Sequence, residues 1–149
     1  ACSVVTGCDL FFLDTLNKDL ELTPENNIAA EWWRAAPLVC GGALVMLDPE
    51  GNGIEMKFGP LPTGGDIRTF NLPSEHAIHF CAPQRRYLTG YAMFPSEQYP
   101  TRQTYAHLIE YAQGAGIRLE ASQVLHRLLR CRDVGGVSMR YDAVYMPVE

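Results

Sequence analysis

The chain has 149 residues, 47% hydrophobic and 19% charged, enough for one buried core and too few for two independent domains. Its net charge of −5 argues against a nucleic-acid surface, which needs clustered Lys and Arg; the one dense cationic stretch, Arg127 to Arg132, alternates with apolar residues as a strand does and forms no basic stripe. No apolar run approaches ~18 residues, which excludes a membrane-spanning helix from the expectations.

In chain order, residues 9–15, Asp-Leu-Phe-Phe-Leu-Asp-Thr, read as a short aromatic strand. Thr23 then caps a helix expected to run to about Ala36, with Pro24 and Glu25 in its first turn and Ile28, Trp32 and Ala35 on its apolar face. Strands follow over Gly42 to Asp48 and Ile54 to Phe58, joined by the turn sequence Asp48-Pro-Glu-Gly-Asn-Gly53. Alternation places Ile54, Met56 and Phe58 on one face, Glu55 and Lys57 on the other. Gly59-Pro-Leu-Pro-Thr-Gly-Gly65 reads as a linker, the seam between two halves. Ile67 to Leu72 and Ala77 to Ala82 are expected as strands about a turn at Pro73. Arg86 to Phe94 is a stronger strand, with Tyr87, Thr89, Tyr91 and Met93 sharing a face.

Thr101 opens a second helix, whose Tyr105, Leu108, Ile109 and Ala112 fall at i, i+3, i+4 and i+7. Gly114 and Gly116 end it. Gln123 to Arg130 and Ser138 to Met146 close the chain as strands joined by the hairpin turn Asp133-Val-Gly-Gly136. The order is β, α, β, β in the second half and, more loosely, in the first. The fold class expected is α+β: one domain over 1–149 built from two βαββ units, about 9–62 and 67–149, side by side. Their antiparallel sheet carries the helices on one face and leaves a ligand cleft on the other.

The stretch Tyr99-Pro-Thr-Arg-Gln-Thr-Tyr-Ala-His-Leu-Ile-Glu-Tyr-Ala-Gln-Gly-Ala-Gly-Ile117 and the closing strand Tyr141-Asp-Ala-Val-Tyr-Met-Pro-Val148 resemble the GyrI-like effector-binding domain, the sensor half of MerR- and AraC-type multidrug regulators. Leu44-Val-Met-Leu-Asp-Pro-Glu50, followed by Ile54 to Pro62, is similar to the first-repeat hairpin of that family. The resemblance implies a pseudo-twofold pair of βαββ units around a cleft for lipophilic or aromatic molecules, cationic drugs among them. Such a cleft works through aromatic walls and a carboxylate. One departure counts: the family's pocket Glu lies in the strand after the second helix. Here Gln123-Val-Leu-His-Arg-Leu-Leu129 offers Leu125 or His126 at that place.

The residues expected to bind a ligand are Trp33, Glu55, Tyr87, Tyr91, His126, Tyr141 and Tyr145. Tyr141, Ala143 and Tyr145 are set on the cleft face, opposite Val144 and Met146, which face the helices; the tyrosines equally suit a dimer contact. Asp142 falls on the helix face, paired or at a rim. Glu55 is the substitute acid, against its alternative as a solvated strand residue. Trp33 is the cleft-side member of the Trp32–Trp33 pair. His126 as a packed core histidine is weighed against a ligand contact that titrates near neutral pH. His76 and His79, three apart in a strand, point to opposite faces and form no metal site.

The five cysteines, Cys2, Cys8, Cys40, Cys81 and Cys131, include no Cys-x-x-Cys pair. They are expected as buried free thiols of a cytoplasmic protein, with two bridges and one free thiol as the alternative. The function expected is small-molecule binding, as a sensor or sequestering protein, with no cofactor, no metal, no direct nucleic acid and no membrane; an oligomer is compatible with it. No helix-turn-helix precedes the domain in this sequence, so a transcriptional output would need a partner or a further segment. Two alternatives stand beside it. One is a hydrolase of an electrophilic small molecule, with Glu55 or His126 as base; the other is a protein-interaction module of the gyrase-inhibitor type.

Overall fold

The computed structural model describes residues 2–6, 9–12, 16–17, 40–72, 78–80, 84–120 and 122–149. Their strands are β1 (Ser3–Thr6), β2 (Phe11–Phe12), β3 (Leu16–Asn17), β4 (Cys40–Leu47), β5 (Gly53–Leu61), β6 (Ile78–His79), β7 (Arg86–Pro95), β8 (Gln123–Val134) and β9 (Val137–Pro147). The helices are α1 (Gly64–Phe70) and α2 (Ala106–Gly114), with a single 3₁₀ turn, Arg102–Tyr105, leading into α2. Seven strands make one sheet in the order β1-β7-β9-β8-β4-β5-β3, and β2 pairs with β6 apart from it. Every pairing is antiparallel. The class is α+β, and no helix among the described residues is long and apolar enough to cross a membrane. The helix expected from Thr23 to Ala36 lies outside the described residues.

Strict two-residue alternation sorts the core onto both faces of the sheet. On one face, Leu88, Ala92, Val124, Val144 and Met146 pack with Tyr105, Leu108 and Ala112. The helical stripe read from the sequence is therefore the stripe that is buried, and Val144 and Met146 face α2 as expected. This helix face continues across Ala43, Val45, Met56 and Phe94. On the opposite face Leu44, Leu125 and Tyr87 pack with Leu61 beneath Leu10, Phe12 and Phe80. That cover comes from the segments around β2 and β6, so this face is only part open.

Two expectations are overturned between β5 and β6. Ile67 to Phe70 belongs to α1 instead of a strand. The reason is local: Thr63 Oγ1 accepts from the Asp66 N–H at 3.1 Å, and the Asp66 carboxylate accepts from the Thr63 N–H at 2.9 Å. This reciprocal capping box starts a helix whatever the β-propensity of the next few residues. The linker assigned to Gly59–Gly65 is likewise divided. Gly59, Pro60 and Leu61 continue β5, pairing with Gly42, Gly41 and Cys40. Pro60 is tolerated there because, among the described residues, β3 pairs only with Lys57 and Phe58, leaving that stretch of β5 at an edge.

The centre of the sheet depends on a close approach. A Cβ on Gly42 would stand 2.5 Å from the His126 carbonyl oxygen and 3.0 Å from Leu61 Cδ2, so only glycine lets β4 lie against β8 at this point. At the far end, Gly135 and Gly136 have φ of +59° and +82°. These successive left-handed residues close the β8–β9 hairpin as a tight primed turn does. The β4–β5 turn is held by Asp48, whose Oδ1 accepts from the N–H groups of Glu50 and Asn52, both at 2.9 Å.

Candidate functional site

Face assignment along β8 changes part-way. Leu125, His126, Arg127 and Leu128 pair in register with Tyr145, Val144, Ala143 and Asp142, and then the register slips so that Arg130 pairs with Tyr141. Leu129 is the extra residue of a β-bulge. Continued alternation would have set Arg127 and Leu129 on one face and Arg130 and Arg132 on the other. With the bulge, Arg130 stands opposite Tyr141 and Arg132 opposite Met139, while Arg127 stands opposite Ala143. Residues 139, 141 and 143 share a face, so all three arginines lie on the tyrosine face of the sheet. The alternation read from the sequence was therefore interrupted, and a basic row exists where none was expected.

Beside this row lies a cavity of about 350 Å³, lined by Tyr91, Ala92, Met93, Leu129, Arg130, Tyr141 and Asp142. Tyr91, Met93 and Leu129 are 62%, 54% and 51% exposed, an unusual concentration of large apolar side chains in one place. Tyr91 pairs with Ala143 and Met93 with Tyr141, which makes the two tyrosines diagonal neighbours, about 7–8 Å apart by strand geometry. The Arg130 guanidinium lies 5.2 Å from the centroid of the Tyr141 ring. Ring and cation hold one another in place. Asp142 adds no charge here, because its carboxylate is fully buried and bonded on the other face.

That other face contains a buried polar chain. Arg140 reaches Asp142 through Nε, 3.3 Å from Oδ1, and Nη2, 3.2 Å from Oδ2. The same Oδ2 lies 2.9 Å from His126 Nδ1, and His126 Nε2 lies 2.6 Å from the Tyr105 hydroxyl. Phe94 packs edge-on to the imidazole, and Arg140 lies over the rings of Phe58 and Phe94. Burial pushes the His126 pKa down; the Asp142 hydrogen bond and charge oppose this, and Arg140 adds to it. A neutral imidazole fixes the donors: Nδ1–H donates to Asp142, and Nε2 accepts from the Tyr105 hydroxyl. Burial first, then the Asp142 charge, raises the Tyr105 pKa, keeping its proton in that bond. With both ring nitrogens engaged and no exposed surface, His126 serves as a strut between the sheet and the 3₁₀ turn that leads into α2.

The sequence-expected residues are thus divided. Tyr91 and Tyr141 come together at the cavity. Tyr87 is buried, donating its hydroxyl hydrogen bond to the Phe80 carbonyl, with Arg85 over its ring. Tyr145 packs at the margin of the same covered cluster. Glu55 is exposed on β5, its carboxylate 4.0 Å from Lys57 Nζ. It pairs with Met46, whose other neighbour is Gln123. That places it at the opposite end of the sheet from Arg130. His126 lies on the helix face, away from Tyr91 and Tyr141, and Trp33 lies outside the described residues. Arg130 and Leu129 were missed because a one-residue bulge in β8 decides their face; Met93 was set on the Tyr91 face by alternation but not named among the ligand residues. Cys2 and Cys131 are free thiols, but Cys131 is exposed instead of buried, since the β8–β9 hairpin projects beyond the packed layers.

A second cavity, of about 270 Å³, lies between the β4–β5 turn and α2, where Glu50, Arg102 and Gln113 rim an apolar floor of Leu119 and Met146. No protein-family model matches the chain, and no curated protein matches its sequence.

Proposed function

We propose that the protein is a small-molecule-binding domain of the GyrI-like type, taking a flat lipophilic ligand on the tyrosine face of its sheet. The observation that carries this reading is the cavity at Tyr91, Met93, Leu129 and Tyr141, where exposed apolar and aromatic side chains surround a concave space. The strand order supports the family resemblance. Inside the edge strand β1, which pairs with β7, the other six strands run β7-β9-β8, then β4-β5-β3. In each half the strand sequence is first, third, second from the outside inward, so the order is symmetric about the β8–β4 contact. Two βαββ units joined side by side give that order.

Binding is tested by thermal shift against several dozen flat lipophilic compounds of neutral, cationic and anionic character. A ligand at 100 times its Kd stabilises the folded state by about 2.7 kcal/mol. Stabilisation that Tyr141→Ala abolishes supports the site; no shift with any compound refutes the reading.

A further inference from the structure

We infer that the ligand taken at this site is a planar aromatic anion, a ring system bearing a carboxylate, sulfonate or phosphate, with the ring on Tyr91 and Tyr141 and the anionic group on Arg130. The inference rests on the small-molecule reading above and adds the charge class, which is opposite to the cation implied by the family resemblance.

Three observations converge. The bulge at Leu129 brings Arg130 and Arg132 to the tyrosine face, where Arg127 already stands, in a chain whose net charge is −5. Bulges commonly re-aim side chains beside functional sites. Next, Asp142 is the sole carboxylate lining the cavity among the described residues, and it is sealed on the opposite face by His126 and Arg140. A cationic ligand would therefore meet Arg130 with no compensating acid. Third, Arg130 is exposed and lies over the Tyr141 ring, with no carboxylate partner among the described residues. The ring holds the guanidinium through its face and leaves the N–H edge to donate to an oxyanion. A guanidinium suits this task because it can present two parallel donors to two oxygens. An aromatic body is required as well as the charge: the wall offered by Tyr91, Met93 and Leu129 is apolar, and a bare inorganic anion would leave it wet.

The experiment compares three probes of one shape by isothermal titration on the full chain: naphthalene-2-sulfonate, 2-naphthalenemethanol and 2-naphthylmethylammonium. The sulfonate is expected to bind about tenfold tighter than the alcohol, the scale of one charge-assisted hydrogen bond at an open site. The ammonium is expected to bind weakest. Arg130→Gln should remove the sulfonate's advantage and leave the alcohol unchanged, whereas Tyr141→Leu should weaken all three. Circular dichroism checks that both variants fold. Should the ammonium bind as tightly as the sulfonate, or Arg130→Gln leave sulfonate affinity intact, the charge assignment is overturned while the small-molecule site stands. Binding of none of the three overturns both.

Discussion

Replacing Asp142 by Asn isolates what the buried polar chain contributes. Three donors converge on the Asp142 carboxylate: Nε and Nη2 of Arg140 and Nδ1–H of His126. An amide has one acceptor oxygen and two N–H groups of its own. If its oxygen takes Arg140, its NH₂ meets His126, which must change tautomer and present Nε2–H to Tyr105. The Tyr105 hydroxyl then loses its acceptor, although the residue is wholly buried. The larger loss is charge: Arg140, only 8% exposed at its side chain, keeps two aromatic faces but no counter-ion. Breaking a buried pair by removing one partner costs about 3–5 kcal/mol. For a chain of this size that corresponds to a fall in Tm of about 6–20 °C. Urea unfolding followed by circular dichroism, with a thermal scan beside it, measures both. A change below about 1 kcal/mol would refute the donor count and the burial on which it rests.

Stability should also depend on acid through His126. Its folded pKa lies below the ordinary value, so the stabilisation is complete above the unfolded pKa near 6.5 and is lost as the pH falls toward the lowered folded value. Unfolding free energy should therefore fall between pH 7.5 and 5.5 as the unfolded chain takes up a proton that the folded imidazole does not. Burial holds the folded value below the reference; Asp142, through its hydrogen bond and charge, works against this, and Arg140 adds to it. His126→Gln should show a correspondingly flatter decline in unfolding free energy, and an equal decline in both proteins would refute a neutral buried imidazole. Gly42→Ala should lower stability by at least about 1 kcal/mol, since its methyl group would meet the His126 backbone rather than a side chain able to turn aside. An unchanged urea midpoint would show that β4 and β8 can separate there.

The parts of the fold legible in the sequence were those governed by short-range periodicity. The apolar stripe Tyr105, Leu108, Ala112 and the alternation from Val144 to Met146 were sufficient to set α2 against the final strand. The β4–β5 and β8–β9 hairpins announced themselves through Asp48 and the Gly135–Gly136 pair. α1 was misread because Ile67 to Leu72 looks like a strand when its cap is ignored, and a reciprocal Thr63–Asp66 bond outweighs that appearance. Asp142 was expected to be paired or at a rim, but its partners could not be named: His126 and Arg140 meet it only across and along strands. Among the candidate residues, Tyr91 and Tyr141 were set on the cavity face by alternation, on strands without a phase change before them. Arg130 was missed because it lies just beyond one.

The bulge at Leu129 also bears on how such a surface can arise. A substitution changes one side chain in place; an inserted residue changes the facing of every residue beyond it while leaving their identities alone. The three arginines of β8 need no new charge to act together, only one more amino acid between the second and third of the residues Arg127, Leu128 and Arg130. In genetic terms, a single codon gained or lost within a strand is enough to gather or scatter a charged face. Related chains differing in length by one residue in this strand would then differ in the layout of their surface charge while keeping the same charged residues.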